Sequence, residues 1–300
     1  MKRRTFLSGL AAVVPVSHAE AATLTLNLHG ATATVDTGSA DPAKIELIRS
    51  WVTKSADAVF TYYGKFPVPM VDIYLEVRDG ADVDGGHTMP GEVPHIEIEI
   101  GRNAGANALL HDDWVMVHEM IHLAFPWMNM QHNWMAEGLA VYVESIARIQ
   151  AGHLPPAQIW GDFTRMMPKG LPKKGDGGFD VTTNHGRTYW GGAMFCLLCD
   201  VRIRQETDGH FGLQHALRAI NGSRDFRREW DFLDTLKIGD AATGRTVLVS
   251  QYDAMKETPV TPDLAGLWRD LGITVMDGAV AFDTAAPLAS IRKAIETPIV

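Results

Sequence analysis

Two histidines separated by three residues constrain this chain more than any other feature of its sequence. Residues 118–122 read His-Glu-Met-Ile-His. On an α-helix, residues four apart lie on one face, so the imidazoles of His118 and His122 can reach the same ion. Glu119 lies about 100° round the helix, where it can reach a water on that ion without being a ligand. The surrounding residues are apolar, and buried polar groups at this spacing need a metal or a tight network. The motif therefore predicts a zinc site with Glu119 as general base.

A third ligand is predicted at Glu137, in the stretch Asn-Trp-Met-Ala-Glu-Gly-Leu-Ala over 133–140. Metzincin proteases need glycine and histidine where this chain has Phe125 and Met128, so that class is excluded. Two antiparallel helices joined by a short turn would bring Glu137 opposite both histidines, with Gly138 allowing close approach to the first helix. This ligand set leaves a fourth position open, as catalytic zinc sites do. The alternative is a carboxylate that only interacts with the dipole of its own helix. We expect one Zn2+ ion.

The first residues are typical of an export signal. Residues 2–7 read Lys-Arg-Arg-Thr-Phe-Leu, a twin-arginine n-region, and an apolar run over 7–16 follows. Small residues place the cleavage site at Ala19 or Ala21. The alternative is a short membrane anchor, but ten residues are too few to cross about 30 Å of hydrocarbon as a helix. We expect residues 1–21 to be a bacterial twin-arginine signal peptide and the mature protein to be periplasmic or secreted, without stable membrane insertion.

Composition limits the partners. The 300 residues carry a formal net charge of −9, and no basic stretch interleaved with aromatic residues follows the signal. Nucleic-acid binding requires neutralisation of phosphates, so a nucleic-acid partner is excluded. The length after the signal suits one catalytic unit over 22–300, and the sequence does not specify an oligomeric state.

The two cysteines, Cys196 and Cys199, lie one turn apart in a segment with helical character. Among the leucine and phenylalanine residues around them, buried apolar thiols are the simplest interpretation. A redox pair or half of a zinc site is the alternative, although no second cysteine pair exists to complete a four-cysteine site.

Periodicity predicts an α+β order of elements. The β-rich part over 22–110 is expected to contain a hairpin over 22–36, a helix over 42–63 capped by Asp41, strands over 68–77 and 95–100, the latter half-buried or at an edge, and a loop over 82–91 whose Asp-x-Asp-Gly-Gly core is interpreted as a turn rather than a calcium site. The zinc-binding part over 111–152 is expected to contain helices over 112–125 and 134–150, the second with Asn133 as N-cap. The mainly helical part over 153–300 is expected to contain a surface loop over 168–187, helices from Thr188, a strand-like segment over 246–249 and a last helix over 288–295.

The paired motifs at 118–122 and 134–140 resemble the gluzincin clan of zinc metallopeptidases, whose second helix typically reads Trp-x-x-Glu-Gly-Phe-Ala. Farther on, Tyr189-Trp-Gly-Gly and Asp200-Val-Arg-Ile-Arg are similar to the catalytic domain of the glycyl aminopeptidase family, and more distantly to alanyl-type aminopeptidases. The resemblance covers about 95–235. It implies a thermolysin-like catalytic domain, with a small mixed β-sheet and active-site helices followed by a mainly helical lobe.

Two departures from these families concern substrate recognition. Gly191 stands where the glycyl aminopeptidase family has a lysine, and the Gly-x-Met-Glu-Asn stretch that grips a substrate amino terminus in alanyl-type enzymes is absent. The nearest segment is Gly-His-Thr-Met-Pro-Gly over 86–91. The resemblance therefore leaves exopeptidase and endopeptidase activity both open.

The resemblance also suggests roles for other residues. It nominates Tyr189 as the catalytic hydrogen-bond donor to the oxyanion, with His185 and Arg187 in reserve. Related enzymes add the substrate as an extra strand, here beside 95–100. Groups that orient the zinc-binding histidines are expected among Glu144, Asp113 and Asn133. His111 and His132 are expected at the surface or behind the ligands, and Trp114, Trp127 and Trp134 in the core or the cleft lining.

These expectations favour an exported zinc peptidase that hydrolyses a peptide or protein substrate through a metal-activated water. Two alternatives remain. One is a zinc hydrolase of a non-peptide amide in the cell envelope, and the other is a catalytically inactive zinc-binding module. The inactive module is disfavoured because Glu119 has no structural task at its position in the motif.

Overall fold

The structure, a computed structural model, describes residues 22–223 and 229–299. The signal peptide predicted over 1–21 lies outside the described residues and stays a prediction. Within the described part a small mixed sheet is followed by a mainly helical region, which confirms the expected α+β class at this level. No helix in these two ranges is long and apolar enough to span a membrane.

Five strands form one mixed sheet. The strands are β1 Thr23–Leu28, β2 Ala31–Asp36, β3 Met70–Arg78, β4 Val83–Met89 and β5 His95–Gly101. Their order is β1-β2-β3-β5-β4, with β3 parallel to both of its neighbours and the two outer pairs antiparallel. β1 and β2 form the predicted hairpin. Its two-residue turn places His29 and Gly30 at φ 53° and 94°, which is the left-handed geometry that tight hairpins require.

Helix α1, Ile45–Tyr63, connects β2 to β3 and packs between the sheet and the helices that follow. The Asp41 side chain accepts a hydrogen bond from the Ala43 N–H at 2.9 Å and caps a short 3-10 turn, Pro42–Lys44, that leads into α1. The predicted helix and its cap are thus confirmed, with the first turn wound more tightly than an α-helix.

The prediction of a loop over 82–91 is wrong, because most of this segment forms strand β4 at an edge of the sheet. Gly85 and Gly86 suggested a turn, but glycine is needed at position 86 because there is no space for a side chain. A Cβ atom there would lie 2.6 Å from Ile98 and 3.0 Å from the Cγ of Glu119. β5 is half-buried as predicted, yet it lies inside the sheet between β3 and β4, so it has no free edge.

Helix α2 is Val115–His122 and helix α3 is Asn133–Gln150. α2 is shorter than the predicted helix over 112–125 because Asp113 has an extended backbone and caps α2 from outside. Its carboxylate accepts hydrogen bonds from the first two N–H groups of α2 at 2.8 and 3.3 Å. Asn133, predicted as an N-cap, is the first helical residue of α3.

The rest of the described chain is mainly helical, as predicted from Thr188 onward. The helices are α4 Pro156–Met166, α5 Gly192–Glu206, α6 Leu213–Ser223, α7 Phe232–Thr243, α8 Val247–Met255, α9 Leu264–Asp270 and α10 Ala289–Glu296. A hairpin of β6 Ile273–Met276 and β7 Ala279–Phe282, which the sequence did not predict, lies between α9 and α10.

The prediction of a strand-like segment over 246–249 is wrong, since helix α8 begins here. The buried carboxylate of Asp240 accepts hydrogen bonds from the N–H groups of Leu248 and Val249 at 2.8 and 3.0 Å. A distant side chain thus satisfies the free N–H groups at the start of α8. β-branched residues that favour a strand locally become helical through this tertiary contact.

The long loop predicted over 168–187 is confirmed in its central part only. It is preceded by a 3-10 turn, Met167–Gly170, and followed by a π-helical segment over 186–191. The backbone N–H groups of Gly178 and Phe179 donate to carbonyl oxygens at the C-terminal end of α8, at 2.8 and 2.9 Å. Phe179 is buried, so the loop is anchored to the core.

Cys196 and Cys199 are both free thiols, fully buried in α5, which confirms their interpretation as apolar core residues. Burial raises the pKa of both thiols, and the charge of Asp200 raises that of Cys196 further. Since only a thiolate reacts readily, we expect neither cysteine to react with a thiol reagent in the native protein. Both should react in denaturant, and a Ser39→Cys variant, exposed between β2 and α1, should gain one fast-reacting thiol. Fast native labelling of the wild type would contradict the burial.

Candidate metal centre and cleft

Helix α2 presents its two histidines toward the first turns of α3. Every residue from Val115 to Ile121 is buried, so the helix is enclosed as its apolar sequence predicted. His118 and His122 lie four residues apart, with ring centroids 4.9 Å from each other. This confirms the helical geometry on which the motif was interpreted.

Glu137, in the second turn of α3, meets both histidines. Its Oε2 lies 3.2 Å from the Nε2 of His118 and 3.7 Å from the Nε2 of His122. One ligand atom from each residue falls within 4.8 Å of the other two. Tetrahedral zinc with bonds of about 2.0–2.1 Å separates its ligand atoms by roughly 3.3 Å. The three side chains therefore fit a single zinc ion with small adjustments.

The pKa values of Glu137 and His122 are shifted in opposite directions. Burial would raise the pKa of Glu137, but hydrogen bonds from both imidazoles outweigh it and hold that pKa well below its usual range. For His122, burial lowers the pKa, whereas the hydrogen bond to Glu137 and the charges of Glu119 and Glu137 raise it overall. An ionised carboxylate beside two imidazole nitrogens is a donor set on which a divalent cation can replace protons.

Glycine contacts between α3 and α5 set the position of Glu137. A Cβ atom on Gly138 would lie 2.2 Å from the Cα of Gly192, and one on Gly192 would lie 2.1 Å from the carbonyl oxygen of Trp134. The expectation that Gly138 lets α3 approach the first helix is wrong, because the close contact is with α5. The same approach brings the π-helical segment before α5 beside Glu137.

The three candidate metal ligands His118, His122 and Glu137 are here called the metal group. Tyr189, in that π-helical segment, lies over this group. Its ring is stacked on the His118 ring with centroids 6.4 Å apart. Burial, followed by the negative charge of Glu137, raises the pKa of Tyr189 to about 12. The hydroxyl therefore keeps its proton at neutral pH and can donate it in a hydrogen bond.

The two reserve candidates for that role have different positions. The His185 ring lies beside the Tyr189 ring, with centroids 4.6 Å apart, and lines the cleft. The Arg187 guanidinium instead lies over the Phe179 ring and donates to the carbonyl oxygen of Gly170, so it supports the loop. Gly191 packs against the same ring, where a Cβ atom would lie 2.9 Å from it. This contact explains why no lysine stands at that position.

Glu119 contacts a residue that the sequence analysis did not single out. The Oγ1 of Thr88, on β4, lies 2.8 Å from the Oε2 of Glu119 and 2.9 Å from its carbonyl oxygen. The only sequence signal was its place in the segment 86–91, which was interpreted as a loop ahead of a strand. The threonine hydroxyl fixes the orientation of the Glu119 carboxylate in the cleft.

Two of the three groups proposed to orient the histidines, Glu144 and Asp113, are engaged elsewhere. Glu144 pairs with Arg148 and accepts from Ser145, whereas Asp113 accepts from the indole N–H of Trp51 at 2.7 Å. Asn133 lines the cleft. Among the described residues, the Nδ1 atom of His118 is buried without a hydrogen-bond partner. The expectation that Glu144 or Asp113 orients His118 is therefore wrong.

The metal group opens into a cleft of about 900 Å3. Its walls are β4, the residues around both ends of α2, one face of α3 and part of α4. Trp114 and Trp127 are half exposed in this lining. Trp134 is buried, and its indole N–H donates a hydrogen bond to Asp180. The three tryptophans thus lie in the core or the cleft lining, as predicted.

His111 and His132 both lie outside the metal group, as expected. His111 lies on the cleft wall beside Trp114. His132 is stacked on Phe232 and lies 3.6 Å from the carboxylate of Asp180.

The cap of α2 makes stability depend on pH. Burial raises the pKa of Asp113 from 3.8 to about 6, against lowering by its hydrogen bonds from Trp51 and the α2 backbone. A carboxyl group whose pKa is higher in the folded state favours folding below its unfolded pKa, and that contribution is lost as pH rises through about 6. We expect the free energy of unfolding to fall between about pH 4 and pH 6 more steeply in the wild type than in Asp113→Asn. Urea unfolding at several pH values measures both slopes; equal slopes would contradict the prediction, whatever the lower absolute stability of the variant.

Comparisons with known proteins agree with this geometry at the level of the fold. No protein-family model matches the sequence, and no curated protein matches it. Among solved structures, an aminopeptidase N family protein from Idiomarina loihiensis superposes with a TM-score of 0.60 at 13% identity, covering 86% of this chain and 50% of that chain. A two-domain M1 zinc metallopeptidase bound to L-arginine gives 0.52 at 14%, covering 82% and 53%.

An M1 zinc metallopeptidase from Deinococcus radiodurans gives a TM-score of 0.51 at 13% identity, covering 81% of this chain and 52% of that chain. This chain thus spans about half the length of the solved structures that it matches. The expected resemblance to zinc metallopeptidases of the aminopeptidase kind is confirmed for the fold.

Proposed function

We propose that this chain is a zinc-dependent peptidase, in which one Zn2+ ion is held by His118, His122 and Glu137. The observation that carries the proposal is the convergence of these three ligand atoms within 4.8 Å, beside Glu119 and at the floor of a large cleft. The shared fold of M1 zinc metallopeptidases supports it. We extend the proposal to a thermolysin-like catalytic unit over 22–300 and to export through a signal over 1–21.

The roles of the side chains follow from their positions. Bound zinc would polarise the scissile carbonyl and lower the pKa of the attacking water. Glu119 would take the proton of that water and pass it to the leaving amine, with Thr88 holding the carboxylate in place. Tyr189 would donate a hydrogen bond to the oxyanion, because its hydroxyl stays protonated beside Glu137.

We place the substrate backbone along β4. The expectation that a substrate adds beside 95–100 is wrong, because β5 is covered on both sides by other strands. The sheet has two edge strands, β1 and β4, and residues 85–89 of β4 line the cleft. An extended peptide can bind such an edge through backbone hydrogen bonds. The backbone edge of β4 therefore takes the place that 95–100 had in the sequence interpretation.

The proposal is tested by zinc binding and peptide hydrolysis measured together. We expect the mature protein to bind one equivalent of zinc, to gain thermal stability with it, and to cleave members of a diverse peptide library read by mass spectrometry. Glu137→Gln should weaken zinc binding, since a neutral amide is a poorer ligand than a carboxylate. A Glu46→Gln variant on the exposed surface of α1 is the matched control. A zinc-loaded protein that cleaves no peptide would overturn the peptidase proposal and favour the envelope-amide or inactive-module alternatives.

A further inference from the structure

The cleft lining contains exposed apolar side chains at both ends of α2. Trp114 directly precedes the helix and is 49% exposed, and Trp127 lies five residues after its last residue and is 46% exposed. Both line the cleft, and the metal-binding histidines lie between them. Exposed aromatic side chains in a cleft offer apolar surface against which the apolar groups of a ligand can be buried.

The cleft extends in two directions from the metal group, and we call these two parts its arms. The arm next to Trp114 continues along α3 away from Glu137. The Nη2 of Arg148 donates to the carbonyl oxygen of His111 at 3.2 Å, which ties the far end of this α3 face to the segment before α2. Arg148 follows Glu137 by eleven positions along α3, which is a rise of about 16 Å. The apolar residues that line the cleft along this arm are Val115, Val141, Leu154, Ile159 and Met166.

The arm at Trp127 lies beyond the other end of α2. Its apolar lining consists of Leu123, Phe125, Pro126, Met128 and Met130, of which Met130 is 75% exposed. The eight residues of α2 span about 12 Å, which is the length of roughly four residues of extended chain. An extended chain along β4 is therefore long enough to contact both arms across the metal group.

The carboxylates in the described part of the cleft already have polar partners. Outside the metal group, Glu119 accepts from Thr88, Glu144 pairs with Arg148, and the remaining two, Asp112 and Asp162, are bonded to Asn107 and Arg165. An enzyme that holds a substrate by its amino terminus needs a carboxylate available to pair with the α-ammonium group. The described cleft residues instead offer apolar contacts on both sides of the metal ligands.

From these observations we infer that, if the chain is a peptidase as proposed, its substrate is an extended polypeptide with large apolar side chains on both sides of the scissile bond. The bond is internal, and Trp114 and Trp127 determine specificity, one on each side. Hydrolysis adds one water across that peptide bond and releases a new carboxylate and a new amine.

The test uses peptides of about ten residues that are N-acetylated and C-amidated. One has leucine or phenylalanine on both sides of a central bond, others carry serine on one side or both, and a matched set has a free amino terminus. We expect zinc-loaded protein to cut the blocked apolar peptide internally, with kcat/KM at least about tenfold above that of the double-serine peptide. Trp114→Ala should reduce selectivity on one side of the bond and Trp127→Ala on the other. Met276→Ala, an exposed apolar residue on β6, should change neither.

Failure of this inference is distinguishable from failure of the proposed function. Hydrolysis of free-amino peptides alone, one residue at a time, overturns the inference and leaves the peptidase proposal intact. If no peptide is hydrolysed, a peptide-binding measurement tests whether the cleft recognises apolar side chains. Zinc-loaded Glu119→Gln protein is then titrated with the blocked peptides, followed by tryptophan fluorescence. Preferential binding of the apolar peptide, weakened in both tryptophan variants, supports the two-armed cleft, and equal or absent binding overturns it.

Discussion

Replacing Glu119 by glutamine is expected to lower kcat by about 10^2–10^4-fold while the protein still binds zinc. Glutamine has the shape of glutamate and can still accept the hydrogen bond from Thr88, but it cannot take a proton from the attacking water. Glu119 contributes no atom to the group formed by His118, His122 and Glu137, so the variant should still bind zinc, with only the modest loss of affinity that a missing nearby negative charge causes.

The measurement is single-turnover hydrolysis of a peptide identified in the library screen, with zinc content determined on the same samples. Glu46→Gln removes a carboxylate of the same kind from the surface of α1 and should keep wild-type activity. Activity within about threefold of the wild type for a zinc-loaded Glu119→Gln protein would contradict the general-base role. Loss of zinc in that variant would instead show that the carboxylate is a ligand.

Replacing Gly138 by alanine is expected to cost about 1–3 kcal/mol of unfolding free energy and to weaken zinc binding. The new methyl group would lie 2.2 Å from the Cα of Gly192, and a backbone contact cannot be relieved by rotating a side chain. Since alanine favours a helix over glycine by about 0.5–1 kcal/mol, any net loss reports the clash. Separation of α3 from α5 would displace Glu137 and Tyr189 together.

Urea unfolding and zinc competition with a chromophoric chelator measure the two effects. Gly222→Ala is the matched control, because this glycine is also helical and a Cβ atom there has no atom of the described residues within 4 Å. It should be neutral or slightly stabilising. A Gly138→Ala protein as stable as Gly222→Ala, with unchanged zinc affinity, would mean that the contact between α3 and α5 does not position the metal group.

Residue spacing in the sequence predicted most of the metal group. The relation of His118 to His122 needs only helical periodicity, and the apolar residues around them already require a buried helix. Glu137 was predicted from a helix-turn-helix arrangement, and Glu137 does meet both histidines. The partner of its helix was not predictable, because two glycines that pack backbone to backbone leave no periodic signal.

The cleft illustrates where local interpretation fails. The segment around Gly85 and Gly86 has the composition of a turn, yet it pairs with β5 and becomes an edge strand of the sheet. Thr88 therefore enters the site from a segment interpreted as a loop. The start of α8 shows the same effect, since the carboxylate of Asp240 satisfies N–H groups in residues with strand propensity.

The sequence by itself determined the α+β order of elements, the pairing of His118 with His122, and the candidate roles of Glu119 and Glu137, because each depends on periodicity over a few residues. Only the tertiary structure decided that β4 is an edge strand, that Thr88 holds Glu119, and that tryptophans lie at both ends of the metal-binding helix. These contacts join segments far apart in the chain, and their geometry depends on which backbones can approach closely, which no local pattern records.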